Sequence, residues 1–234
     1  YHKVIRGKLK KLVRRMEDYL ADKKYYDFRA RVFTDSAPIL EKAYAEQAGI
    51  GWIGKNTLLL NEQAGSWFFL GEILTNLPLP ASDKSPINRC GSCSACIEVC
   101  PTNAFVAPYE LDARKCISYL TIEHKGIIDE DLRALMGNKI FGCDDCQLTC
   151  PWSRNAPETN EMDFSPRHNL DSSALLELFM WTEEEFMART EGSAIRRTGY
   201  LGWIRNIVIA LGNGSSSQAI IRALESKKGL SDMT

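Results

Sequence analysis

Apolar residues recur at helical spacing from residue 3 to residue 20, where Ile5, Leu9, Leu12, Met16 and Leu20 share one face. Lys3, Lys8, Lys10, Lys11, Arg14 and Arg15 lie opposite, a face that reads as solvated or as a polyanion contact. Residues 31–34 then read as a short strand. Asp35-Ser36-Ala37-Pro38 opens a helix running to Ala48, and by spacing alone Asp35 or Ser36 is its N-cap. Residues 57–61 and 67–74, separated by Gln63-Ala64-Gly65-Ser66, predict a hairpin. Pro78, Pro80 and Pro86 mark a linker. Further helices are predicted up to Glu123 and over 129–136, 171–179 and 182–190. The last of these carries a Thr182–Glu185 capping box. A helical pair over 195–211 and 216–227 ends the chain.

Composition adds bounds. The 234 residues are 44% hydrophobic with a net charge of −1, enough for one or two domains with a sizeable core. The longest apolar stretches, near 67–70 and 207–211, are core-sized and too short for a membrane span. The charge balance excludes a general electrostatic nucleic-acid binder but leaves room for a local basic patch. Gly49, Gly51 and Gly54 with Lys55 mimic phosphate-binding motifs. Such motifs need a strand before the glycines and a helix after them, and here the predicted order is reversed, so nucleotide binding is rejected.

Chemistry enters with the cysteines. All eight lie between Cys90 and Cys150. Cys90, Cys93, Cys96 and Cys100-Pro101 form C-x2-C-x2-C-x3-C-P; Cys116, Cys143, Cys146 and Cys150-Pro151 supply a split second set. In the bacterial ferredoxin run, three close cysteines wrap one cubane and the fourth serves the other. The spacing therefore predicts two 4Fe–4S clusters, one on Cys90, Cys93, Cys96 and Cys150, the other on Cys100, Cys116, Cys143 and Cys146. Small residues between the thiolates let backbone N–H groups face the sulfurs. Structural zinc would want two separate pairs, and a disulfide framework suits short secreted chains, so both are set aside. Reduced thiols and oxygen-sensitive clusters point to the cytoplasm.

Several segments then combine: Thr34-Asp35-Ser-Ala-Pro38-Ile-Leu-Glu41, Ala48 to Asn56, Gly65-Ser66-Trp-Phe-Phe-Leu-Gly71-Glu72, the split cysteines, Cys116-Ile-Ser118-Tyr-Leu-Thr-Ile-Glu123, Ser193-Ala-Ile-Arg196-Arg197 and Arg205-Asn206 to Asn213. Together they resemble the epoxyqueuosine reductase family over essentially the whole chain. The family's N-terminal portion has no counterpart before Tyr1, and its helical tail is shorter at Thr234. The terminal helical pair resembles a single HEAT-type repeat, which must bury its face on the preceding helices.

The resemblance implies an α+β protein in three parts: the end of a corrinoid-binding α/β domain over 1–80, a ferredoxin-like two-cluster domain over 86–160, and a helical HEAT-like tRNA-contact region over 170–234. It implies a cobalamin-dependent oxidoreductase, a monomer without membrane association, that takes electrons from an external low-potential donor and reduces epoxyqueuosine to queuosine at the tRNA wobble position. No histidine ligand to cobalt is expected, so His2, His124 and His168 receive no metal role. Asp35 becomes the expected proton donor rather than a cap, because an epoxide oxygen leaves poorly as an alkoxide. A carboxylic acid donates at neutral pH only where its surroundings disfavour the charged form, which a corrin face would do. Asp35, Leu59, Leu70, Ser118, Cys143 and Asp144 are the expected corrinoid contacts, and Arg196, Arg197 and Arg205 the expected contacts to the tRNA anticodon arm. The competing readings are another corrinoid/iron–sulfur reductase, such as a reductive dehalogenase, and a plain two-cluster electron carrier. Neither accounts for Asp35 and the arginine-bearing helical end together.

Overall fold

A computed structural model describes residues 1–82 and 86–229. Positions 83–85 of the predicted linker and the last five residues of the predicted helical tail lie outside the described residues. The protein is mixed, with many short helices and few strands, and its chain forms two compact units. One comprises residues 1–94 and 147–165; the other comprises 95–146 and 166–234. The division falls inside the cysteine segment.

In the first unit, helix α1 (His2–Asp22) forms where the periodicity predicts it. Its apolar stripe is only partly covered: Ile5 and Leu9 reach Gly71, where a Cβ would approach their methyl carbons to 2.9–3.0 Å, whereas Leu12 stays 46% exposed. Strand β1 (Ala30–Phe33) follows. The predicted helix from residue 35 starts late: α2 spans Glu41–Gln47, with Leu40 at its N-cap and no side-chain cap bond. Pro38 disfavours helical backbone at the residue before it, and Asp35 itself sits at φ +51°. Asp35 is therefore not a cap. Two short strands, β2 (Trp52–Ile53) and β3 (Leu59–Leu60), pair antiparallel behind the glycines.

The glycines are explained by that pairing. A Cβ on Gly51 would lie 1.9 Å from the Leu60 carbonyl oxygen, and one on Gly54 would strike the Leu60 side chain, so they permit packing of the hairpin onto itself. The expected 67–74 return strand does not form as such. Only β4 (Glu72–Thr75) is extended, and its partner is β1, with Phe33 opposite Glu72, not β3. The turn between is closed by Asn61, whose Oδ1 accepts from the N–H groups of Gln63 and Ala64.

The second unit begins with one-turn helix α3 (Ala95–Glu98) and a small antiparallel pair, β5 (Phe105–Ala107) and β6 (Glu110–Leu111). Helix α4 (Ile117–Ile122) comes next, then α5 (Glu130–Arg133), continued by a 3₁₀ turn at Ala134–Met136, and α6 (Asp145–Leu148), which runs across the division. Helix α7 spans Leu175–Met180 and α8 spans Glu183–Arg189, the latter opened by the predicted reciprocal capping box of Thr182 and Glu185. Helix α9 spans Gly199–Gly212 and α10 spans Gln218–Ser226. Residues 194–198, expected to be the first turn of α9, form a 3₁₀ turn instead.

The main core lies here: Phe179, Phe186, Trp203 and Ile207 are almost completely buried, with Trp181 stacked on Trp203 at 5.8 Å. Both α9 and α10 pack on α7, as a lone helical pair requires.

A polar network closes this unit. Asn206, fully buried on α9, donates to the Thr121 carbonyl at 2.8 Å and the Ile140 carbonyl at 2.9 Å, and its Oδ1 accepts from Arg205 at 2.9 and 3.1 Å. Arg205 spends its remaining donors on the carbonyls of Leu120, His124 and Gly126 at 2.7–2.9 Å. Replacing the guanidinium would strand carbonyls at the C-terminal end of α4. Arg205→Ala is thus expected to lower unfolding free energy by about 2–4 kcal/mol in chemical denaturation. Arg196→Ala, on the exposed 3₁₀ turn, should stay within about 0.5 kcal/mol. Equal effects at the two positions would contradict the structural role of Arg205.

Candidate metal centre and acid loop

The two cysteine runs fold alike. In each, one cysteine sits second in a one-turn helix (Cys96 in α3, Cys146 in α6) and the last closes the turn: Cys100 N–H donates to the Ile97 carbonyl at 3.3 Å, Cys150 N–H to that of Gln147 at 3.2 Å. The next turn is also repeated, with Asn103 N–H on the Cys100 carbonyl at 3.1 Å and Ser153 N–H on that of Cys150 at 3.0 Å. Pro101 and Pro151 need no donor there, and Pro151 opens a 3₁₀ turn. Gly65 makes room for it: a Cβ on Gly65 would meet Ser153 Cα at 2.5 Å.

All eight thiols are free of disulfides. In the first unit Cys150 is buried with Trp52 and Leu60, and Cys90 packs against them; Cys93 is exposed. In the second unit the sulfurs are crowded. Burial, followed by the neighbouring thiols Cys143, Cys116, Cys96 and Cys100, pushes the Cys146 thiol up to about 12. Burial also raises Cys143, against the N–H of Asp145, which favours its thiolate. Ala104 N–H points at the Cys100 sulfur at 3.3 Å.

Such a set resists becoming four bare thiolates and calls for a cationic core; loading it must release protons. No three His, Cys, Asp or Glu side chains among the described residues converge as they would on one metal ion. A cubane asks for something different, four thiolates spread around a cluster. The residues fit two 4Fe–4S clusters by donor type, repetition and apolar setting.

The segments that carry Cys116 and Cys143, both predicted ligands, are joined by one side-chain hydrogen bond. Cys116 is the N-cap residue of α4, and Thr121 within that helix accepts from Gly142 N–H at 2.9 Å, immediately before Cys143. Thr121 is also where Asn206 and Thr198 donate, each at 2.8 Å. Lys55 was missed by sequence reasoning except as part of a false phosphate motif. Its Nζ donates to the carbonyls of Gly91 and Cys93 at 2.7 and 2.8 Å.

The Asp35 loop is the second feature. Thr34, buried, donates from Oγ1 to the Leu70 carbonyl at 2.8 Å, tying the loop to the segment before β4. Asp35 N–H donates to Glu41 Oε1 at 2.6 Å. The Asp35 carboxylate accepts from the Tyr1 hydroxyl, lies 3.9 Å from His2 Nε2, and is 55% exposed, so the protein alone does not bury it. The Tyr1 ring stacks on exposed Phe69 at 4.5 Å, and Phe69 on Phe164 at 5.6 Å, an aromatic stack joined to the acid through the Tyr1 hydroxyl. Glu72, opposite Phe33, is raised from 4.5 to about 7 by burial, then by the charge of Glu41 and a bond to its carboxyl, with Asp35 adding to the effect. Its shielded Oε2 has no donor among the described residues. Glu41 and Glu72 were each within quoted motifs, but only the β1–β4 register brings them together.

The other expected contacts are dispersed. Leu59 is buried within β3, Ser118 is half-buried on α4 and Asp144 is exposed. Arg196 is exposed; Arg197, also exposed, places Nε 2.7 Å from Glu123 Oε1. Arg205, grouped with them as an expected tRNA contact, is instead turned inward onto the His124 and Leu120 carbonyls, and burial lowers its pKa from the usual arginine value.

Residues 89–153 match the family described as a 4Fe-4S double cluster binding domain. The epoxyqueuosine reductase of Pseudomonas aeruginosa is 56% identical over 229 residues, covering 98% of this chain and 62% of its own length. That of Escherichia coli is 55% identical over 98% of this chain and 59% of its own. A crystal structure of epoxyqueuosine reductase with an epoxyqueuosine-modified tRNA-Tyr stem loop superposes with a TM-score of 0.85 at 32% identity, over 97% of this chain and 58% of that one. The Streptococcus thermophilus enzyme gives 0.83 at the same identity. The chain thus spans about 60% of the relatives it matches. Over nearly all of its own length, and over about 60% of theirs, this chain is similar to the epoxyqueuosine reductases, with more than half of the aligned residues identical.

Proposed function

We propose that the protein is the cluster-bearing and acid-bearing portion of an enzyme that reduces epoxyqueuosine to queuosine at the tRNA wobble position. The observation that carries this reading is the coexistence of two repeated cysteine loops with an open carboxylate, Asp35, held in a loop that is not a helix cap. The net reaction takes one oxirane, two electrons and two protons to one alkene and one water. Clusters pass electrons singly and reach about −700 mV at their lowest. Cobalamin, when bound, supplies the strongly reducing centre that joins those single electrons into a two-electron reduction.

This chain's own residues prepare the proton. Glu41 fixes the Asp35 backbone, Tyr1 and His2 flank its half-exposed carboxylate, and a macrocycle bound beside that carboxylate would bury it. Leu59, Leu70, Ser118, Cys143 and Asp144 remain the proposed corrinoid contacts. The three-part division at 1–80, 86–160 and 170–234, with a HEAT-like end, is the corresponding functional reading. We assign tRNA phosphate contact to Arg196 and Arg197. Arg205 supports them from beneath through its bonds to the α4 end. The electron donor is an external low-potential carrier, and the working compartment is the cytoplasm, as a monomer.

Three results are expected. Asp35→Asn should keep iron content and corrinoid absorption while lowering turnover by about 10²–10⁴-fold; near-normal turnover would remove Asp35 from the reaction. Arg196→Glu should weaken stem-loop binding, with the defect largest at low salt and fading as salt rises. The third concerns pH. Because the folded-state value of Glu72 is raised, the stability tied to its protonated form is complete below about 4.5 and lost as pH rises through about 7. Glu72→Gln should therefore gain thermal stability relative to the unsubstituted protein across that window. Parallel melting curves at all pH values would argue against it.

A further inference from the structure

The structure assigns Lys55 a role in electron transfer: we infer that it is a positioning residue that makes the cluster holding Cys90 and Cys93 the more readily reduced of the two. The inference rests on the cluster reading and not on the identity of the substrate. Its basis is a difference between two otherwise matching loops. The first, Cys90-Gly91-Ser92-Cys93-Ser94-Ala95-Cys96, carries no ionisable side chain besides its cysteines. Lys55, reaching from the glycine loop after β2, places its ammonium 2.7 Å from the Gly91 carbonyl and 2.8 Å from that of Cys93. It therefore sits on the carbonyl side of the residues between two thiolate ligands.

Among the described residues, two neighbours of the loop leave that charge standing. Arg89 is paired with Glu62 at 2.5 Å, and Asn88, which orients the loop by accepting from Cys90 N–H at 2.9 Å, is neutral. Gly91, at φ +50°, turns its carbonyl toward the lysine, a conformation that a larger residue would resist.

The second loop is the reverse. Cys143-Asp144-Asp145-Cys146 holds two aspartates, and Lys139 is paired with Asp145 at 3.1 Å. Adding an electron makes a cluster more negative, so a fixed cation beside it raises the potential and fixed anions lower it. A permanent charge held by two hydrogen bonds cannot swing away when the electron arrives. The step is a one-electron reduction of one cluster by a low-potential carrier, with no bond made or broken and no proton moved. The first electron then resides on the Lys55 side.

The test is a potentiometric titration with dithionite, followed by electron paramagnetic resonance, on the protein with both clusters loaded. Eight irons per chain and two separable waves are expected. Fewer irons in the unsubstituted protein would defeat the cluster reading itself and the inference with it. Lys55→Gln keeps donors for the two carbonyls and removes the charge. It should shift the upper wave to more negative potential, leave the lower wave in place and retain the irons. An unmoved upper wave, or a shift confined to the lower one, overturns the inference. Should Lys55→Gln bind fewer irons, Lys55→Arg decides. Eight irons with both waves at their original positions uphold the role of the charge, whereas eight irons with a displaced upper wave overturn it.

Discussion

Saturation of backbone carbonyls by two side chains, Asn206 and Arg205, holds the cluster-bearing part of the second unit in shape. Cluster loops are short of regular structure, so their peptide groups find few partners in helices or strands, and each buried group left unmade costs about 1–3 kcal/mol. Adjacent residues of α9 answer that need at Leu120, Thr121, His124, Gly126 and Ile140. Through Thr121 the same network reaches Gly142, and so the approach to Cys143. The helical end of the protein thereby supports the iron-binding end of the same unit. Its hydrophobic core around Trp203 and Ile207 provides the rigid backing that keeps those donors aimed.

A second constraint runs through both candidate sites: groups of like charge are gathered where water is scarce. Four thiols crowd Cys146, and two glutamates approach each other behind Asp35. In each place the anionic forms cannot all coexist unaided. At the thiols the remedy is a cationic cluster, which displaces the protons. At the carboxylates burial and the charge of Glu41 raise Glu72 to about 7, so that it keeps its proton to a higher pH than an ordinary carboxyl does. The same electrostatic rule thus prepares one region for metal and the other for acid chemistry.

Much of this was legible beforehand because it is local. Cysteine spacing specifies ligand sets through loop reach, and the Thr182–Glu185 box and the α1 periodicity act within a few residues of themselves. The expectations that changed were those depending on distant partners. Residues 67–74 suggested a hairpin with 57–61, but β4 pairs with β1, because a strand's partner is chosen by burial and not by proximity in the chain. Asp35 had the composition of a cap, yet Pro38 delays the helix until Glu41. Arg205 read like its exposed neighbours Arg196 and Arg197, since nothing in a sequence tells whether an arginine's donors face water or carbonyls 79–85 residues away.

By itself, the sequence determined the number and grouping of the cysteines, the helical character of the C-terminal half and the presence of an aspartate in a distinctive loop. Each follows from covalent reach or short-period patterning. Tertiary structure alone decided which charges are neutralised, which are held and which are left open. It turned Lys55 from part of a false phosphate motif into a clamp on the first cysteine loop, and it set Glu72 against Glu41. Those outcomes depend on inverse distance and on exclusion of water, quantities that exist only after the chain has closed on itself.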